Sequence, residues 1–97
     1  MKDFFEFRRV QTSGGVVLLL EGDLNARTAC EVRRAMDAES SPVVLDVSRI
    51  RRFEDTAVPV LSFVMREHTV HMRGLGEHWR KMFRYFGVDA ERASPSA

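Results

Sequence analysis

Short apolar runs alternate along this chain with apolar stripes at helical spacing. Phe5 to Val10 carries aromatics and a branched residue, and Ser13-Gly14-Gly15 follows as a turn. Val16-Val17-Leu18-Leu19-Leu20 is a continuous apolar run, which suits a strand covered on both faces. Two runs joined by a Gly-containing turn predict a β-hairpin. Gly22-Asp23-Leu24-Asn25 ends the second strand. Asn25 is placed to cap a helix from Ala26 to about Ala38, with Ala29, Val32 and Met36 on one face. Ser40-Ser41-Pro42 breaks the chain before a third strand, Val43-Val44-Leu45-Asp46-Val47. A basic stretch with Arg49, Arg51 and Arg52, expected as a solvated loop and otherwise as a rim to a contact patch at the second helix, leads to that helix, which runs to about His68. In it Val58, Leu61, Met65 and His68 recur at i, i+3, i+7 and i+10, and Val64 widens the stripe. Val70 and Met72 alternate with His71 and Arg73 in a short fourth strand. After Gly74-Leu75-Gly76, Trp79, Met82, Phe83 and Phe86 sit at i, i+3, i+4 and i+7, and Gly87 suits the position just past a helix end. The order β-β-α-β-α-β-α implies right-handed crossovers, and so an α/β fold with a mixed, mostly parallel sheet of about four strands and helices packed on it.

Composition adds limits more than content. With 97 residues the chain holds one core, expected over residues 1–92, with a frayed tail at 93–97. Hydrophobic residues make up 44% and charged residues 30%, which excludes disorder over most of the length. Fifteen basic residues against fourteen acidic ones leave a formal charge of +1, so a generic electrostatic nucleic-acid binder is not expected. One cysteine, Cys30, excludes an internal disulfide and a cysteine-rich zinc site. The N-terminus shows no secretory signal, and the apolar runs are too short to span a bilayer, so the expected location is cytoplasmic without membrane insertion.

Catalytic and phosphate-binding motifs are absent, and His68, His71 and His78 fall on different elements, so neither a metal nor a cofactor is expected. The distinctive feature is Asp55-Thr56 ahead of the second helix. With Thr56 as N-cap, Pro59 falls at the third helical position, where its missing N–H costs nothing; with Asp55 as N-cap it would fall one position later and lose the first intrahelical bond. Thr56 is therefore the expected N-cap, its hydroxyl accepting from the Val58 amide. The same hydroxyl is a candidate phosphoacceptor, with Glu54 and Asp55 beside it. A single phosphate there would reverse the sign of the net charge.

At this point the chain resembles the STAS family of anti-sigma-factor antagonists and their relatives, from about Val16 to Asp89. Gly22-Asp23-Leu24-Asn25-Ala26-Arg27-Thr28-Ala29 is similar to the family's G-x-L-D-x-x-T-A block. Val43-Val44-Leu45-Asp46-Val47-Ser48 is similar to its V-V-L-D-L-S strand, and Asp55-Thr56 to its D-[ST] dipeptide. The resemblance implies a non-enzymatic interaction module whose hydroxyl after that Asp is phosphorylated by a partner kinase; carried over by position, this is Thr56. It implies a protein partner, either an anti-sigma-factor kinase or a complex subunit, and leaves a homodimer open. The expected contact surface is Asn25, Asp55, Thr56, Ala57, Val58, Val60 and Leu61. Two departures stand out. Both glycines of the usual D-S-[ST]-G-L-G are replaced in Asp55-Thr56-Ala57-Val58-Pro59-Val60, and Asn25 stands where the family has Asp. Ser48-Arg49-Ile50-x-Arg52 is similar to the cytoplasmic subunit of a lipid-transport ABC system, which makes a constitutive transporter subunit the alternative. A small-molecule or nucleotide binder, as proposed for some family members, is the third reading.

Overall fold

The computed structural model describes residues 4–88. Along the chain run β1 (Phe5–Thr12), β2 (Gly15–Leu24), α1 (Ala26–Asp37), β3 (Val43–Phe53), α2 (Ala57–Glu67), β4 (Val70–Arg73) and α3 (Glu77–Tyr85). This is the α/β order read from the sequence. The strands form one sheet in the order β1-β2-β3-β4, with β1 antiparallel to β2 and the remaining pairs parallel. The tail expected over 93–97, and the final positions assigned to the domain, lie outside the described residues.

Alternation along β2 decides which face is covered. Val16, Leu18 and Leu20 are at most 2% exposed, whereas Val17 and Leu19 are only half-buried. The run is therefore a strand with one face under the helices, not one covered on both. Leu45 and Met72 extend the buried face across β3 and β4, and Ala29, Val32 and Met36 of α1 join Val58, Leu61 and Val64 of α2 in the same core. Phe83 of α3 is fully buried and edge-on to Phe53, which stacks on Trp79 at 4.4 Å between ring centroids. α3 ends as its Gly predicts. The Val88 amide donates to the Phe83 carbonyl at 3.0 Å and Gly87 takes a φ of +80°, which closes the helix around an apolar contact.

β3 differs from the sequence reading. It continues to Phe53, so Arg49, Arg51 and Arg52 stand on a strand and not in a loop. β4 pairs only with Val43 to Asp46, and the far half of β3 is held by β2 alone, with register shifts on either side of Gly22. Gly22 has a φ of +105°, and a Cβ placed there would collide with the Phe4 carbonyl, so the close approach of the chain entering β1 requires glycine.

Candidate functional site

The N-termini of α1 and α2 lie together, and their backbone amides define the site. Asn25 caps α1 from an extended conformation: its Oδ1 accepts from the amides of Arg27 at 2.9 Å and Thr28 at 3.0 Å. The Thr28 hydroxyl completes a reciprocal box. It accepts from the Asn25 amide at 2.9 Å and donates to the Asp23 carbonyl at 2.8 Å. The Ala29 amide donates to the Asn25 carbonyl at 2.8 Å. The remaining amide of the first turn, that of Ala26, donates to the Thr56 hydroxyl at 3.3 Å. Thr56 thus serves the start of the neighbouring helix.

It does not serve its own. Thr56 is the N-cap of α2 and Pro59 is its third residue, as expected, yet the Thr56 side chain makes no capping bond. Its backbone is already helical, with φ −63° and ψ −19°, and the Val58 amide donates instead to the Asp55 carbonyl at 3.0 Å. The Ala57 amide donates to the Glu54 carbonyl at 3.0 Å. A tight turn over Glu54 and Asp55 therefore satisfies the amides that a capping hydroxyl would have taken. The turn is itself pinned to β2, because the Glu54 amide donates to the Leu24 carbonyl at 2.9 Å.

Of the predicted contact residues, Asp55 and Thr56 are exposed, and Asn25 and Val60 are half-buried. Ala57, Val58 and Leu61 are 0% exposed and belong to the core, which corrects their assignment to the contact surface. Helix rotation is the reason: positions 57, 58, 61 and 64 turn inward, while Thr56, Pro59, Val60 and Phe63 (i, i+3, i+4, i+7) share the outer face. Phe63 is 37% exposed, with the Arg33 guanidinium over its ring at 4.6 Å. Pro59 and Phe63 were missed in the sequence, although counting the helical period from Thr56 reaches both.

A family model described as "Mlab, STAS domain" matches residues 7–91. The chain belongs to the STAS domain family. Among solved structures this STAS domain is similar to an antisigma-factor antagonist STAS domain from Rhodobacter sphaeroides. The two are 20% identical with a TM-score of 0.54, over 75% of this chain and 92% of that one. That likeness is one of fold. No curated protein matches.

The electrostatics beside the two helix starts centre on Asp23, near the end of β2. Burial pushes its carboxyl upward. The Phe4 amide, the Arg51 guanidinium at 3.2 Å and the nearby charge of Arg52 outweigh that, and hold it below the usual carboxylate range. Arg51 also lies over the Phe4 ring at 5.4 Å, so this arginine is committed to the β1–β2 end of the sheet. Among the described residues, no group of three or more His, Cys, Asp or Glu gathers at metal-binding distance, and no helix is long and apolar enough to cross a membrane. The Thr56 hydroxyl is bonded to a backbone amide and not to a base. A hydroxyl held this way lacks the adjacent base that activates a threonine nucleophile.

Proposed function

We propose that this STAS domain is a protein-recognition module, working in the cytoplasm, that binds a partner through the outer face of α2. The contact surface is Thr56, Pro59, Val60 and Phe63, flanked by Asn25 and Asp55. One observation carries the reading: apolar side chains line the outer face of a helix whose inner face, Val58, Leu61 and Val64, already closes the core. Val60 also packs against the core, but Pro59 and Phe63 are exposed, and an apolar patch beside polar groups suits a protein contact. Membership of the STAS family, and the fold shared with an anti-sigma-factor antagonist, support a binding role over catalysis.

The finer form of the proposal is a switch at Thr56. A phosphate would bring about −1.5 to −2 charges to a position beside Glu54 and Asp55. The amides of Ala57 and Val58 already bond upstream carbonyls, and Pro59 has none, so the start of α2 has little to offer an anion. The modification would also turn the oxygen that accepts from the Ala26 amide into a bulkier phosphoester at the junction of the two helix starts. Its effect is therefore to repel and loosen, and the unphosphorylated form is the binding-competent one.

The test is capture of anti-sigma-factor kinases by the wild-type chain and by Val60→Glu and Phe63→Ala variants, followed by mass spectrometry for phosphate on Thr56. Binding that survives both substitutions overturns the contact surface; lack of phosphorylation, with Thr56→Ala fully active, overturns the switch. A second reading is favoured by the description of the matching family model, which pairs "Mlab" with the STAS domain. In it the domain is a constitutive subunit of a lipid-transport ABC complex and Thr56 is a contact. That reading predicts co-purification with an ATPase subunit, weakened by Thr56→Glu and indifferent to kinases.

A further inference from the structure

Among the described residues β1 is an edge strand that pairs with β2 alone, in an unbroken register from Phe5 to Thr12. It carries no proline and no bulge, two of the devices that usually blunt such an edge. Two of its apolar side chains and that of Phe4 just before it face water: Phe4 is 40% exposed, Phe7 41% and Val10 37%. The backbone orientation of β1 follows from one bond. The Asp23 amide donates to the Phe4 carbonyl at 2.7 Å, in line with the register that pairs Phe5 with Gly22. Main-chain groups alternate along a strand, so those of Phe4, Glu6, Arg8 and Val10 turn toward β2, and those of Phe5, Phe7, Arg9 and Gln11 turn outward.

We propose that the outward edge of β1 pairs with β1 of a second copy of this chain, antiparallel and centred on Phe7, to form a two-fold dimer with a continuous sheet. The charge pattern selects this occupant and this register. Antiparallel pairing through the outward groups allows only centres that set odd residues against odd ones. Centring on Glu6, Arg8 or Arg9 places that charge against its own copy, and centring on Val10 leaves Glu6 and Phe7 past the end of the ladder. Centring on Phe7 sets Glu6 opposite Arg8 of the other copy and, by symmetry, Arg8 opposite Glu6. On the same face Phe4 meets Val10. On the other face Phe7 meets Phe7, and Phe5 meets Arg9, whose charge is already matched by Glu39 at 2.6 Å. About six new main-chain hydrogen bonds form. All three exposed apolar side chains are covered in one step. This edge is separate from the α2 surface, so its failure and that of the partner-binding reading are independent.

The experiment is sedimentation equilibrium on the full chain and three variants: Glu6→Arg, Arg8→Glu and the two together. Glu6 and Arg8 are exposed on the edge strand, and circular dichroism checks that each variant is folded. The wild type is expected to be a dimer. Each single reversal sets like charges opposite one another twice per dimer and should weaken association about tenfold or more, and the double reversal should restore it to within about threefold. Hydrogen exchange at the amides of Phe5, Phe7 and Arg9 should slow as concentration rises. A monomeric wild type, a dimer indifferent to the single reversals, a double reversal that fails to rescue, or assembly beyond a dimer would each overturn the proposal.

Discussion

Asn25→Ala should cost this small domain a measurable part of its stability, and the size of the loss follows from the capping box. The substitution removes the one oxygen that accepts from both the Arg27 and the Thr28 amides and leaves those two donors at a half-buried helix start. Loss of an N-cap costs about 0.5–2 kcal/mol. Two short bonds and partial burial place this one toward the upper end, at about 1.5 kcal/mol. For a domain of this size that corresponds to a fall in Tm of about 6–12 °C. Asn25→Asp is the informative control. It keeps the acceptor oxygens and adds a negative charge to a helix with no acidic residue in its first turn. It should hold Tm or raise it, by up to about 1 kcal/mol in stability. Thr56→Val removes only the longer bond to the Ala26 amide, for about 0.5 kcal/mol. Thermal unfolding at neutral pH, followed by circular dichroism, reads all three. An Asn25→Ala variant within about 2 °C of the wild type would refute the reasoning, as would an Asp variant that loses as much as Ala.

Other consequences can be measured in the same way. Leu61→Ala should lose about 3 kcal/mol as a cavity opens in the core, while Phe63→Ala two positions on should lose under about 1 kcal/mol; equal losses would contradict the assignment of inner and outer faces. Gly22→Ala should be destabilising by at least about 3 kcal/mol, because the residue holds a positive φ and its Cβ would strike the Phe4 carbonyl; a neutral result in urea unfolding would contradict that geometry. Acid should weaken the fold. The carboxyls of Asp46, Asp23 and Glu39 all lie below their ordinary values in the folded chain. For Asp46, burial pushes upward, but the Ser48 hydroxyl and amide and the Arg73 guanidinium outweigh it. A lowered folded pKa contributes stability that is complete above the unfolded value of about 4 and is lost as pH falls through the folded one. Tm should therefore drop progressively below about pH 5, and less steeply in Arg73→Ala; a flat profile down to pH 3 would contradict it.

The elements were legible because their signals are local. Val43 to Val47 and the Trp79-Met82-Phe83-Phe86 stripe announce a strand and a helix within a few residues, and Asn25 sits directly before the helix it caps. The partner of Thr56 was not legible. Its hydroxyl bonds the Ala26 amide, thirty positions away, and only the packed fold brings the two helix starts together. The outward face of α2 was half legible. Grouping the residues that follow Thr56 in sequence captured Val60 but swept in Ala57, Val58 and Leu61, even though the stripe through Val58 and Leu61 had already marked the inner face. The length of β3 was hidden by composition: Arg49, Arg51 and Arg52 look like a solvated loop, yet edge exposure and the pairing of Arg51 with Asp23 let arginines stand on a strand.

The parallel pairing of β2 with β3 has a kinetic side. β2 meets β1 across a short turn, so the hairpin can form within microseconds. Its second neighbour arrives only when Val43 returns to lie beside Val16, with the whole of α1 in between. Until then the most apolar strand in the chain has an open side, in the stretch where a growing or refolding polypeptide is most prone to self-association. A helix that starts on the Asn25–Thr28 box shortens the span that must be searched, so the residues that fix where α1 begins also set how long β2 waits.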